Sequence, residues 1–156
     1  VIAMCPTCTI FLKEGYGLDS KHVLQVISER IPEANMGLKA TFHDPCDFSR
    51  GLRLIDEPRN ILRKLGVELM EMKDSGAQSA CCGGGGGILM SDPSLSDRIA
   101  LKRIRQVVDT GAETLVTSCP TCETVLKKAA TTLKELEGGS IVVTSIEDII
   151  WKGLKR

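Results

Sequence analysis

Ala80-Cys81-Cys82-Gly83-Gly84-Gly85-Gly86-Gly87 is the stretch from which the rest of the chain can be read. Adjacent cysteines rarely bridge each other, because the peptide between them is too short for relaxed disulfide geometry. Both can point at one metal centre. The glycines let the backbone turn tightly beside that centre and aim several N–H groups at something anionic. Gly83 and Gly84, next to the doublet, are the first candidates for that role.

The partners of the doublet lie far off in sequence. Cys46 precedes Cys81 by 35 positions, and Cys119 and Cys122 follow Cys82 by 37 and 40. Each follows an apolar run, and Cys119 and Cys122 sit at a helix start. Lys39-Ala40-Thr41-Phe42-His43 reads as a strand running into Asp44-Pro45-Cys46, and Thr114-Leu115-Val116-Thr117 as a strand delivering Cys119-Pro120-Thr121-Cys122. Pro120 suits the first turn of a helix. Thiolates grouped in this way read as metal or redox ligands, not as a secreted disulfide framework. We read Cys81 and Cys82 as two ligands of an iron–sulfur cluster.

The order Cys, Cys-Cys-Gly, Cys-x-x-Cys resembles the cysteine-rich CCG-domain family. That family includes the B-type subunit of heterodisulfide reductase and the iron–sulfur subunits of glycolate oxidase, anaerobic glycerol-3-phosphate dehydrogenase and lactate-utilisation complexes. The resemblance spans residues 39 to 122 and includes the lead-in His43-Asp44-Pro45-Cys46. It implies that Cys46, Cys81, Cys82, Cys119 and Cys122 hold a 4Fe-4S-type cluster of the non-cubane kind. It also implies electron transfer between a flavoprotein dehydrogenase, or a flavin or cytochrome subunit, and an acceptor, or reduction of a disulfide substrate at the cluster. Where many members carry a His after the first cysteine, this chain has Asp47, while the Arg three positions later is kept as Arg50. The competing expectation is structural zinc, which four of the five thiolates would satisfy, in a non-catalytic assembly module. No catalytic residue is assigned.

Cys5-Pro6-Thr7-Cys8 repeats the second Cys-x-x-Cys. Val1 to Cys8 matches Leu115 to Cys122 at an offset of 114, and His22 to Ile27 resembles Ser145 to Ile150 nine residues further out of step. This implies residues 1–38 as the closing part of a first cysteine-rich repeat and 39–156 as a complete one. Cys5 and Cys8 would then be a weaker, incomplete second site. The chain starts at Val1 in what reads as a strand, so an upstream segment carrying the missing cysteines is expected. A thioredoxin-like pair fits poorly, because each Cys-x-x-Cys belongs to a longer pattern. A phosphate loop lacks its Lys-Ser or Lys-Thr, since Ile88-Leu89-Met90 follows the glycines.

The alternation of strand and helix predicts an α/β fold with a mainly parallel sheet and flanking helices. Other expected helices run from about Ser20 to Arg30, capped by Ser20 or Asp19, over a short patch after Gly51, and from Glu57 to Leu65. Further helices follow Asp92-Pro93, follow Pro120 up to Gly138-Gly139, and span 145–154. Val67 to Met72 and Ile141 to Val143 read as strands. The helix after Pro93 places Leu95, Ile99, Ile104, Val107 and Val108 on its apolar side, and the helix after Pro120 places Val125, Leu126, Ala129, Leu133 and Leu136 there. His22 reads as a solvated helix residue. His43 reads as a satisfied strand residue before a ligand, with a hydrogen bond to a cluster thiolate as the alternative. Arg50 reads as a surface ion pair or a cluster counter-charge, and Trp151 as packing on the last helix or at a subunit contact.

The 156 residues carry 20 basic and 20 acidic side chains, so no basic footprint for nucleic acid or an anionic membrane exists. No apolar run approaches the roughly 20 residues of a membrane span. With no export signal visible, the expected compartment is the cytoplasm, with membrane association only through partner subunits.

Overall fold

A computed structural model describes residues 1–138 and 140–155. The N-terminal piece consists of β1 (Ile2–Ala3), α1 (Pro6–Tyr16), β2 (Lys21–His22) and α2 (Val23–Ile27). The rest is β3 (Leu38–His43), a π-helical turn at Asp47–Gly51, α3 (Asp56–Lys64), β4 (Val67–Leu69) and a 3-10 turn at Gly76–Gln78. It continues through α4 (Ile88–Ser91), α5 (Pro93–Asp109), β5 (Thr114–Thr117), α6 (Pro120–Glu137), β6 (Val142–Ser145) and α7 (Ile146–Leu154). All strand pairs are parallel, in a two-stranded sheet β1-β2 and a four-stranded sheet β4-β3-β5-β6. The expected α/β class with parallel sheets and flanking helices is what the chain adopts.

The order of the larger sheet explains where its helices go. From β3 the chain moves out to β4 through α3, then crosses back through α4 and α5 to β5 on the other side of β3. Side chains alternate along a strand, so β3 and β5 each feed both faces. Ala40, Phe42 and Val116 join Ile61, Leu62, Leu65, Ile146 and Ile150 under α3 and α7. Leu115 joins Ala100, Ile104, Val107, Leu126 and Leu133 under α5 and α6. His43, one residue beyond Phe42, therefore turns to the α5 face.

Helix ends follow the sequence signals. Asp92 caps α5 by accepting the Leu95 N–H at 2.9 Å, with Pro93 at the first position. Ser145 caps α7 through the Asp148 N–H at 3.1 Å. Gly138 closes α6 in the left-handed region at φ 77°; Gly139 lies outside the described residues.

Several expectations shift. The helix expected from Ser20 begins only at Val23, because Lys21 and His22 pair with β1, the Lys21 N–H donating to Val1 O at 2.9 Å. Ser20 donates its hydroxyl to Thr9 O and caps nothing. His22 is fully buried, not solvated. Its Nδ1 accepts the Leu24 N–H at 3.3 Å, its Nε2 meets Met4 O at 2.9 Å, and its ring stands edge-on to Phe48 at 4.9 Å. Burial lowers its pKa. The helical patch expected after Gly51 lies before it, as the π turn, where Leu52 N–H reaches back to Asp47 O. The strand begun at Val67 stops at Leu69, and that expected from Ile141 starts at Val142. Val108 and Leu136 face solvent, and the buried stripe of α5 is Ser96, Ala100, Arg103, Ile104 and Val107. Trp151 is exposed on α7, with Lys155 Nζ 4.5 Å above its ring.

One buried ion pair fixes the end of β3. The Asp44 carboxylate, fully buried, accepts Arg59 from α3 at 2.8 and 3.0 Å and the Gly76 N–H at 2.8 Å, while Arg59 also holds Glu71 at 2.7 and 3.0 Å. Removing one partner strands a buried charge. Arg59→Leu is expected to lower the unfolding free energy by about 3–5 kcal/mol in urea titrations. Arg105→Ala, which breaks only the exposed pair with Glu137 at 2.7 Å, is expected to change it by less than about 1 kcal/mol.

Candidate metal centre

β3 and β5 are neighbours whose following connections depart to opposite sides. In open α/β sheets, ligands settle in the crevice outside the strand ends at such a switch point. Both strands end in cysteine loops there: β3 runs through Asp44-Pro45 into Cys46, and β5 runs through Ser118 into Cys119. His43 pairs with Thr117 in the last rung of the ladder. The Cys81-Cys82-Gly83 loop closes the crevice from the side, wedged between α5 and α6. The Gly83 carbonyl accepts the Ser96 hydroxyl at 2.9 Å, and a Cβ on Gly83 would stand 2.7 Å from Ser96 O. One on Gly84 would stand 2.9 Å from Thr121 Cγ2 at the start of α6.

This packing brings all five motif cysteines into one chain of thiol contacts, in the order Cys46, Cys81, Cys82, Cys122, Cys119. Cys82, Cys119 and Cys122 are buried, Cys46 is half-buried and Cys81 is exposed. Contacts with Cys46 and Cys82, and the Gly83 N–H at 3.2 Å, hold Cys81 far below the usual thiol pKa, at about 2. Cys119 falls to about 6, because Cys122 and the N–H groups of Cys122 and Thr121 at the start of α6 donate to it. The proton-bearing thiols move the other way. Contact with Cys81, burial and the neighbouring Asp47 raise Cys46. Contacts with Cys119 and Cys82, then burial, raise Cys122. Cys82 receives a lowering contact from Cys122 and the Gly84 N–H at 3.4 Å, but contact with Cys81 and burial push it up to about 11.

Two further groups complete the pocket. One ring nitrogen of His43 and the sulfurs of Cys82 and Cys122 lie within 4.8 Å of one another. His43 Nδ1 is 3.1 Å from Arg103 Nε, while its Nε2, fully buried, has no partner among the described residues. Burial, then the charge of Arg103, pulls the His43 pKa down to about 3. So His43 is not the fully satisfied strand residue expected. Arg103, 1% exposed, is the residue that the sequence reading missed. Its signal was present, since it falls on the buried stripe of α5, three residues after Ala100 and four before Val107.

Arg50 makes no surface ion pair among the described residues. It donates to Ala77 O at 3.3 Å and Ser79 O at 3.0 Å, bracing the turn that leads to Cys81. Asp47, in the place of the expected histidine, accepts the Thr7 hydroxyl at 2.5 Å and stands 3.9 Å from Cys46 Sγ. Thr7 lies between Cys5 and Cys8, so the N-terminal cysteine pair abuts the centre without joining it. Cys5 raises the pKa of Cys8, and Cys119 adds to that rise.

The donor set suits an anionic iron–sulfur group: soft thiolates, N–H groups aimed at sulfur, and a buried ring nitrogen without a partner among the described residues. A tetrahedral zinc would use four of the five sulfurs.

The model for the cysteine-rich domain called CCG matches residues 40–127, from within β3 to the first turns of α6. The chain belongs to this family. It is 43% identical over 64% of its length to a probable membrane-anchored ferredoxin of Chromohalobacter salexigens, covering 15% of that protein. It is 28% identical over 99% of its length to the EtfAB:quinone oxidoreductase of Syntrophomonas wolfei, covering 24% of it. It is 32% identical over 71% of its length to a subunit of the dihydromethanophenazine:CoB–CoM heterodisulfide reductase of Methanosarcina acetivorans, covering 28% of that subunit. The CCG chain is thus related to heterodisulfide reductase subunits and iron–sulfur proteins, and spans under a third of the length of each of these relatives. Among its described residues no helix is long and apolar enough to cross a membrane.

The glycine loop supplies a direct test of this packing. Gly83→Ala adds a Cβ against backbone at φ 83° and is expected to destabilise the CCG domain by about 1–3 kcal/mol in urea melts. Gly85→Ala meets nothing within 4 Å and is expected to shift stability by less than about 0.5 kcal/mol.

Proposed function

We propose that Cys46, Cys81, Cys82, Cys119 and Cys122 hold a 4Fe-4S-type cluster of the non-cubane kind. The chain would serve as the redox part of a heterodisulfide-reductase-like complex. Electrons would pass between a flavoprotein partner and an acceptor, or reach a disulfide at the cluster. The observation that carries this is the meeting of five thiols, distant in sequence, at the switch point of one sheet. The names of the relatives, a ferredoxin, a quinone oxidoreductase and a heterodisulfide reductase subunit, support redox work and leave the acceptor open between a quinone and a disulfide.

When bound, the cluster supplies one-electron chemistry at a potential set by its ligands and hydrogen bonds. The protein's residues do the rest. Cys119 and Cys122 hold their sulfurs at the start of α6, where unpaired N–H groups and the helix dipole favour negative charge. Gly83 and Gly84 direct N–H groups at the sulfurs of the doublet. The buried side of the pocket, with Cys82, Cys119 and Cys122, excludes water. The exposed Cys81 marks the side from which an electron partner or a disulfide would approach.

The same reading extends to the N-terminal piece. β1 and β2 pair as Ile2↔Lys21 and Ala3↔His22, and β5 and β6 pair as Val116↔Thr144 and Thr117↔Ser145. These registers reproduce the two sequence offsets between the segments. Cys5 and Cys119 both stand at the N-cap before a proline, and Gly17 and Gly138 both end their helices left-handed. This supports residues 1–38 as the closing part of a first repeat and 39–156 as a complete one, with Cys5 and Cys8 an incomplete, weaker site.

Anaerobically prepared protein, reconstituted with iron and sulfide, is expected to be brown with about four irons per chain. Cys82→Ser is expected to lose that iron, and the double variant Cys5→Ser/Cys8→Ser to keep it. A colourless protein holding one zinc and refusing iron would establish the structural zinc module instead.

A further inference from the structure

His43 and Arg103 form a buried pair whose chemistry is fixed by what each group can donate. A guanidinium has N–H donors only. At 3.1 Å from Arg103 Nε, His43 Nδ1 must therefore be the acceptor, and the ring proton sits on Nε2. Arg103 cannot turn away. Its other nitrogens donate to Asp74 O at 2.8 Å, to Gln106 Oε1 and to Ser79 Oγ at 3.0 Å. Gln106 is held in turn by donating to Asp74 Oδ2 at 2.6 Å. The result is a buried donor, Nε2–H, without a partner among the described residues, on a ring that has one nitrogen within 4.8 Å of the sulfurs of Cys82 and Cys122. A buried N–H without an acceptor carries a desolvation cost, so such a group points to an acceptor that occupies the pocket.

We propose that Arg103 locks His43 as the Nε2–H tautomer, so that His43 donates a hydrogen bond to a sulfur of the bound cluster and is not one of its ligands. The inference rests on the cluster reading and adds the two residues that tune it. A nitrogen that bears a proton has no lone pair for iron or zinc. A hydrogen bond to sulfur stabilises the more negative, reduced cluster, and so raises the reduction potential. Arg103 is the positioning residue, acting through the imidazole. Metal-bound histidines have their far nitrogen held by an acceptor, which leaves the near one free to bind. Here the far nitrogen meets a donor, and the polarity of the ring is reversed.

The test combines three measurements. In ¹⁵N NMR of the metal-free chain at neutral pH, His43 is expected to show a protonated Nε2 and an unprotonated Nδ1; the opposite tautomer overturns the inference. In protein reconstituted with iron and sulfide, His43→Leu is expected to keep its iron while its midpoint potential falls. A tenfold weakening of reduction is about 59 mV for one electron. His43→Gln, which restores an N–H near the same place, is expected to recover most of that shift. Unchanged potential in His43→Leu with iron retained overturns the inference alone. Absence of iron from the parent chain overturns the cluster reading, and the inference with it. Pulsed paramagnetic resonance of the reduced, ¹⁵N-histidine-labelled parent needs no variant. An exchangeable proton coupling is expected, and a coupling of the size given by a directly bound nitrogen would make His43 a ligand and overturn the inference.

Discussion

Crowding of thiolates is the constraint on which this structure turns. Sulfurs that converge in one pocket repel one another once charged, and burial removes the water that would screen them. Convergence persists only where the fold provides opposing dipoles and donors. The parallel sheet does so through its switch point. Because β3 and β5 send their chains to opposite sides, their carboxyl ends leave a crevice into which helix starts and loop N–H groups project. Cys46 and the Cys119–Cys122 pair reach this crevice simply by following their strands. The Cys81-Cys82 doublet has no strand to place it. It depends on glycines small enough to fit between α5 and α6, and Gly83 is the tightest point of that fit.

The sequence made the frame legible because its signals are local. Strand alternation, proline at first helical positions, Asp92 as a cap and Gly138 as a stop each act within a few residues. The cysteine pattern was legible for the opposite reason, since its spacing is long and specific. What escaped lay between these scales. His22 looked like a helix residue because nothing nearby shows that β1 lies alongside Lys21 and His22 and takes their backbone groups. Arg103 looked like one more charge on a charged helix, and only tertiary packing reveals that its position is buried. The ion pair of Asp44 with Arg59 joins residues 15 apart, a distance at which charge pairing has no pattern in the chain.

The N-terminal piece owes its order to the domain it rests on. Strands of two residues cannot support a sheet alone. Leu24 lies in the core under α3, His22 stands against Phe48, Thr7 donates to Asp47, and a Cβ at Gly51 would strike Ile10 Cδ1 at 2.5 Å. The π turn is what these contacts share. It carries Asp47, Phe48 and Gly51 immediately after Cys46, so the residues that seat the N-terminal Cys-x-x-Cys also shape the loop that carries Cys46.

The charges around the centre follow from the same constraint. A cluster held by several thiolates is anionic overall, and lone carboxylates beside it would oppose binding. Asp44 is adjacent in sequence, yet Arg59 neutralises it and turns it toward Gly76. Asp47 is closer to Cys46, but its carboxylate takes the Thr7 hydroxyl. Arg103 faces inward with no carboxylate in direct contact, its charge spread over a ring nitrogen, a backbone carbonyl, an amide and a hydroxyl. Burial is unfavourable for this cation, and its pKa falls to about 10, chiefly for that reason. The nearby negative charges that favour it are first those of Asp44 and Asp74, with smaller contributions from Cys122 and Cys82. An anionic group in the pocket would add to that compensation.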